Sequence, residues 1–364
     1  MHSFVLYESQ LSHKRLIRGN APRKTVFTAL DAMSIIQNLQ VLRAFAAINV
    51  LIFHIIGTAS GYAASTVFIK TLQGWGENGV DLFFVISGFV MLHTQMKRRQ
   101  APIDFLKLRI VRIVPLYWLL TAFIVIVYTI SPNVFRGLSI SLSHVFSSLF
   151  FTSQFFSNSF PILCVGWTLE WEMLFYLIFA LALCIQSWER FFLCVASILV
   201  AIALATKNWI VLEFLLGMSV AYSLYHCRLS QRSGLWIFLM GFVLLLLSLV
   251  PSIAAQECER ALIWGIPSFL IVLGAVYARQ STSSLLSYLG DASYSIYLTQ
   301  VFAIAAFYKI VGRLGIGLHG DVLALLCLVF SLALACGVYS FIEKPFTVYL
   351  RRRVQALAPA KTAV

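Results

Sequence analysis

Charge is what this sequence has least of. Only 11% of its 364 residues are charged, and Asp plus Glu number 14; a typical soluble domain carries about 25% charged residues. With 60% hydrophobic residues and a mean hydropathy of +0.88, the chain lacks the polar surface of a soluble protein. That excludes a soluble globular fold and predicts an integral membrane protein. Cysteine pairing is missing as well. None of the seven cysteines stands in a C-x-x-C spacing, which excludes a zinc or disulfide framework and leaves them as packing residues of a membrane core. No H-x-x-x-H or Cys/His pair occurs, so no metal is expected. The first 38 residues are polar and basic, with no early apolar run, which excludes a cleavable secretory signal. They are expected to form a basic cytoplasmic tail. Met33 opens a compact approach to the first apolar run, so residues 1–32 are either a tail touching anionic lipid or an upstream misread start. Internal repeats, low-complexity tracts and nucleic-acid modules are also absent.

Long apolar runs fill the rest. A spanning helix needs about 20 apolar residues. Candidates lie at about 39–57, 78–96, 110–130, 167–186, 190–206, 208–226, 234–251, 261–278, 286–309 and 321–343. The expected fold is an all-α bundle of about ten transmembrane helices, with a membrane domain over 39–346 and a basic C-terminal tail over 347–364. Most of the 27 Lys and Arg residues then share one side, including Lys97-Arg98-Arg99, Arg109, Arg112 and Arg351-Arg352-Arg353. Lys70, Arg136, Lys207, Arg260, Lys309 and Arg313 fall on the other. The positive-inside rule puts both termini in the cytoplasm. The net charge of +13 therefore reads as a topology signal, not as a nucleic-acid surface. Trp75, Trp167, Trp209 and Trp264 are expected at the outer interface, and Trp188 and Trp236 at the inner one. VFSSLFFTSQFF, in the longest connection (131–166), reads as a re-entrant or interfacial segment.

Ionisable groups inside such helices are costly and usually face a cavity and one another. Arg43 and His54 stand 11 residues apart, about three turns, so they share one face of the first helix. His54, Asp81, Glu172 and Glu213 are expected at similar depth in the outer half. Arg43, Arg109 and Arg112 are expected together at the cytoplasmic end, where guanidinium forks suit phosphate oxygens. An outer layer able to move protons and an inner layer able to hold phosphates fit a long phosphorylated acyl carrier such as acetyl-CoA, its nucleotide at the arginines and its pantetheine arm reaching His54.

At these residues the chain resembles the membrane-bound acyltransferase-3 family. LQVLRAFAAINVLIFH is similar to that family's R-x10-H signature on the first helix. GENGVDLFFVISGFVM resembles its second-helix block, and RIVRIVPLYW carries its R-x-x-R. WTLEWEMLFY resembles W-S-L-x-x-E-x-x-F-Y, which places the family's glutamate at Glu172. GDASYSIYLTQ and IEKPF resemble the late blocks. The resemblance implies O-acylation of sugars of bacterial surface polysaccharides, nearest the exopolysaccharide branch of succinoglycan or xanthan type. One departure is Gln300, where the family often has histidine: glutamine hydrogen-bonds but does not titrate. Some relatives add a C-terminal SGNH-type domain. None follows IEKPF here, so acceptor selectivity is expected from the bundle or a partner.

The reading that follows makes His54 the general base that deprotonates a sugar hydroxyl, with Glu172 or Asp81 orienting it as a triad carboxylate does. Arg43, Arg109 and Arg112 bind acetyl-CoA. Blander roles compete: a backbone-bonded His54, Asp81 as a helix N-cap, arginines as interfacial anchors, and core packing for Tyr294, Tyr297 and Ser87-Gly88. Ser87 as an acylated nucleophile would give ping-pong kinetics. The expected setting is a bacterial inner membrane, with a polyprenyl-linked oligosaccharide or nascent polymer as acceptor, assembly proteins as further partners and no nucleic acid. A flippase of lipid-linked saccharide, or a non-catalytic subunit of an assembly complex, are the other classes. A transporter predicts Gly/Pro-broken helices in two related halves, which the sequence lacks.

Overall fold

The structure, a computed structural model, describes residues 29–59, 69–132, 139–156, 159–250 and 260–356. They form fourteen α-helices: α1 Ala29–Ala59, α2 Asn78–Lys97, α3 Pro102–Ile130, α4 Leu142–Leu149, α5 Ser153–Phe156, α6 Trp167–Ala182, α7 Trp188–Thr206, α8 Leu212–His226, α9 Gln231–Leu247, α10 Ile266–Tyr277, α11 Ser284–Asp291, α12 Ser293–Leu314, α13 Gly320–Val338 and α14 Lys344–Ala356. No strand occurs among the described residues. Most of the basic N-terminal tail, Cys258 and the end of the C-terminal tail lie outside them.

Each expected span coincides with helix over its described residues. Eight segments are long and apolar enough to cross a membrane, while Gln231–Leu247 and Ala261–Tyr277 are shorter. Boundaries shift for local reasons. Pro102 opens α3 in its first turn, where its missing N–H costs nothing. α3 therefore starts eight residues before the expected 110, and Arg109 and Arg112 lie inside the helix rather than at its mouth. The expected 286–309 span is two helices broken at Ala292. Serine N-caps set other starts: Ser141, Ser187, Ser230 and Ser283 each accept from the backbone N–H three residues on. Gly315, at φ 64°, ends α12 in the left-handed region. The VFSSLFFTSQFF segment forms α4 and α5, with Phe146, Phe150 and Phe156 exposed.

α2 is the inner helix: 72% of its membrane window is buried within the protein, against 22% for α7. A Cβ at Gly88 would lie 2.0 Å from the Phe214 carbonyl oxygen, and one at Gly217 2.0 Å from that of Val85. α2 and α8 thus cross backbone to backbone, the usual role of small residues between membrane helices. Phe84, Phe214 and Phe175 stack through this crossing at centroid distances of 4.5 and 4.3 Å. Gly88→Ala is expected to cost about 1–3 kcal/mol by overpacking, read as a lower Tm in detergent. Gly57→Ala, where a Cβ meets nothing within 4 Å, should leave Tm unchanged.

Two tryptophans depart from the expected interfacial belt. The Trp75 and Trp264 indoles both donate to Ser248 Oγ at 3.1 Å, and Trp264 is buried. They lock α9 against the starts of α2 and α10 instead of facing lipid. Trp236, 72% exposed, does face outward. The described cysteines are all free, and Cys164, Cys184 and Cys227 are exposed rather than in the core.

Candidate active site

A cavity of about 150 Å³ lies between α1, α2, α3, α6 and α12. It follows α2 from Val80 to Met91, about 16 Å at 1.5 Å per residue. Arg43, Arg109, Arg112 and Glu172 all line it, with Ser87, Tyr176 and Tyr294. Four of the six expected site residues therefore meet in one chamber. The two expected layers merge only in part: Glu172 joins the three arginines, while His54, Asp81 and Glu213 do not line the cavity.

Each wall residue is held differently. Glu172 Oε1 accepts from Ser87 Oγ at 2.9 Å and from the Tyr176 hydroxyl. Its helix neighbour Glu170 points elsewhere, accepting the backbone N–H groups of Ser153 and Gln154 at 3.0 and 2.9 Å. The two carboxylates of WTLEWE divide the work: one ties the α4–α5 segment to α6, the other faces the cavity. Arg112 donates to Glu343 Oε1 at 2.5 Å and lies over the Tyr294 ring, 5.7 Å from its centroid. Ser295 Oγ donates to Glu343 Oε2 at 2.6 Å, and Tyr294 donates to the Ile113 carbonyl at 2.6 Å. Arg43 and Arg109 differ from Arg112. Neither forms an ion pair with a carboxylate among the described residues, and the buried Arg109 Nε has no hydrogen-bond partner. Glu172 is the one carboxylate on the cavity wall among the described residues. Three guanidinium groups against one wall carboxylate make a chamber that attracts anions.

Asp81 stands apart from this set. Both its oxygens accept from Arg260, at 3.2 and 3.0 Å, and Arg260 also donates to Glu77 Oε2 at 2.7 Å. Asp81 is thus neither an N-cap nor a partner of His54, but half of a buried ion pair joining α2 to the start of α10. Glu213 is fully buried beside it, in the field of Asp81 and Arg260. Arg260, expected on the outer surface, is inside the bundle.

His54 does not line the cavity, and neither Glu172 nor Asp81 bonds to it; its near ring neighbour is Phe53, edge-on at 5.0 Å. The expected common depth of His54 and Asp81 fails for a geometric reason. Gly79 abuts the Ala46 carbonyl and Gly76 that of Asn49, so α2 begins partway down α1. His54 is eight residues beyond Ala46, about 12 Å higher, while Asp81 is two residues deeper than Gly79. Along the Arg43–His54 face, Ala47 and Val50 are buried and close the wall. α12 runs parallel to α1, since Gly290 abuts Gln40 and Ala47, Leu51 and Ile55 share one apolar cluster with Ala292, Ile296 and Ile304. Counting equal rises sets Gln300 about level with Val50, between the cavity and His54. Gln300 is buried, and both its amide atoms lack partners.

Among the described residues no group of three or more His, Cys, Asp or Glu is placed to hold a metal ion. Ser87 and Tyr294, weighed above as packing residues, line the cavity instead; Tyr176 and Glu343 were not singled out, though Tyr176 ends the WTLEWEMLFY block and Glu343 sits in IEKPF.

Residues 36–340 match the acyltransferase-3 family, an acyltransferase domain. Exopolysaccharide production protein ExoZ of Rhizobium meliloti (strain 1021) is 32% identical over 307 residues, covering 74% of this chain and 89% of that protein. No solved structure matches the chain. The chain belongs to the acyltransferase-3 family, and it is a multi-pass membrane acyltransferase.

Proposed function

We propose that this acyltransferase moves an acetyl group from acetyl-CoA to a sugar hydroxyl of an exopolysaccharide repeat unit. The setting is a bacterial inner membrane, with both termini in the cytoplasm and the donor entering the cavity from that side. The exopolysaccharide acceptor is taken from the relative's name. The observation that carries the donor is the pair of guanidinium groups, Arg43 and Arg109, that line the cavity without a carboxylate partner. Phosphate oxygens of the CoA nucleotide satisfy them, and Arg112 adds a third cation held by Glu343.

His54 lies about 16 Å from Arg43 by helix rise, with Ala47, Val50 and the unpartnered Gln300 amide packed between them, so the pantetheine arm reaches His54 only when that packing opens. At His54 the imidazole takes the proton of the sugar hydroxyl. The oxygen bonds to the acetyl carbon, the carbon–sulfur bond breaks, and the proton passes from the imidazolium to the CoA thiolate. Asp81, bonded to Arg260, keeps the helix starts in register and takes no part in the transfer.

A second reading rests on one observation: Glu172, not His54, lines the cavity, held by two hydroxyls. In that reading Glu172 is the base. Glu172→Gln separates the two, because glutamine keeps an oxygen for Ser87 and Tyr176 and removes only the charge. With purified protein in proteoliposomes, labelled acetyl-CoA and repeat-unit oligosaccharide, wild type should transfer label. With His54 as base, Glu172→Gln should keep kcat within a few fold and lower the KM for acetyl-CoA, since a negative charge leaves a phosphate site. A kcat loss of about 100-fold or more, the scale of a lost general base, would move the base to Glu172. Absence of transfer by wild type would overturn the acetyl-CoA reading itself.

A further inference from the structure

A second, larger concavity lies on the outer face of the bundle. It is a groove of about 910 Å³ between α3 and the segment from Phe341 to Leu350. Apart from Arg112, Glu343 and Thr347 its lining is apolar and aromatic, with Val114, Leu119, Phe346 and Leu350 on its walls. Both walls belong to membrane-spanning segments, so the groove opens into hydrocarbon and its occupant is a hydrocarbon chain.

Two further observations say what kind of chain. First, the groove ends in positive charge. Arg112, paired with Glu343, is on its wall, and Arg351-Arg352-Arg353 follow directly on Leu350, the last residue of its lining. Counting about 20 residues back from the outer end of α3 at Ile130 puts the hydrocarbon boundary near Val111, at the depth of these arginines. An anionic headgroup belongs there, as in other basic sites between membrane helices. Second, Arg112 lines both the groove and the catalytic cavity. The Arg112–Glu343 pair and the Tyr294 ring link the two, since Glu343 lines the groove, Tyr294 lines the chamber that holds Glu172, and Arg112 touches both. A phospholipid serving as mere solvent has no need of that continuity; a lipid whose head carries the acyl acceptor does.

We propose that this groove binds the hydrocarbon chain of a lipid-phosphate-linked acceptor, with its phosphate at Arg351, beyond the groove's Leu350 end, and its saccharide passed over Arg112 into the cavity. For its role this rests on the acetyl-transfer reading with Glu172 as the base, since Glu172 lines the cavity and His54 does not, but the binding site stands on the groove itself. In this arrangement Arg43 and Arg109 serve the donor, and Arg112 sits where donor and acceptor meet.

Two measurements test it. In the first, full-length protein in liposomes is given a diazirine-bearing polyprenyl phosphate with an excess of phosphatidylglycerol, and crosslinked peptides are mapped. Label on α3 and the Phe341–Leu350 segment, reduced by Arg351→Gln, is expected. Label displaced by phosphatidylglycerol means ordinary lipid only and overturns the proposal, as does label elsewhere. This arm needs no activity, so it stands even if acetyl transfer fails. In the second, Val114→Trp fills the groove, and Val348→Trp is the control, on the same segment but outside it. Val114→Trp should raise the KM for the lipid-linked acceptor roughly tenfold, about the effect of 1.4 kcal/mol, and leave transfer to the same saccharide freed of lipid unchanged. Equal loss on both acceptors, or none on either, would overturn the groove as the chain site.

Discussion

His54→Ala is expected to remove O-acetate from the polymer without removing the polymer. In a producer strain lacking the gene, wild type should restore the acetyl groups counted per repeat unit by NMR. His54→Ala, at equal membrane abundance, should fall short by about 10²–10⁴-fold in initial transfer rate, the contribution of a positioned general base. The structure makes this a clean substitution. His54 is half-buried near the C-terminal end of α1, touches Phe53 edge-on and bonds to no carboxylate that its removal would strand in the bilayer. Stability should therefore hold, with Tm near that of wild type, so lost acetate reports chemistry and not folding. His54→Gln sharpens the result: it keeps a hydrogen-bonding group and should be as inactive as alanine, because glutamine accepts no proton at neutral pH. Full acetate with either variant would make His54 structural and leave Glu172 as the base. Unchanged acetate with altered polymer export would support transport instead.

Much of this was legible from the sequence, and the failures have one cause. Composition and apolar run length gave the helices, since a bilayer dictates both. The meeting of Arg43, Arg109 and Arg112 also followed from placing ionisable groups where the membrane makes them costly, whereas Glu172, expected in a separate outer layer with His54, joins them in the same cavity. What failed was depth measured helix by helix. Each helix was set against an assumed flat boundary, but α3 starts early at Pro102, α2 starts partway down α1, and 286–309 breaks at Ala292. Run length is blind to such offsets because they depend on backbone contacts such as Gly79 against Ala46. The same blindness put Asp81 beside His54. Its partner, Arg260, is 179 residues away in sequence, and a long-range ion pair leaves no local pattern. Glu343 shows the converse. It was visible as part of IEKPF, yet its task of holding Arg112 appears only when α3 and the end of α13 are seen together.

Arg43 and Arg109 should together set the affinity for the donor. A hydrogen bond to a charged group is worth about 1.5–3 kcal/mol, so Arg43→Gln or Arg109→Gln alone should raise the KM for acetyl-CoA by about 10- to 150-fold. Acceptor KM should change far less, because neither residue lines the groove that holds the acceptor's chain. The argument turns on what each guanidinium does without donor. Arg112 is bonded to Glu343, so Arg112→Gln strands a buried carboxylate and confounds binding with stability. Arg43 and Arg109 have no such partner, and removing either relieves repulsion in the empty cavity. The free protein should therefore be no less stable, and its Tm should hold or rise, while the gain in Tm on adding acetyl-CoA shrinks. Acetyl-pantetheine gives the decisive comparison, since it keeps the thioester and lacks the nucleotide phosphates. Wild type should strongly prefer acetyl-CoA over it, and Arg43→Gln/Arg109→Gln should use the two about equally by turning over acetyl-CoA as poorly as the truncated donor. A double variant that still preferred acetyl-CoA would place the nucleotide outside this cavity, and the chamber between α1, α3 and α6 would then belong to the acceptor.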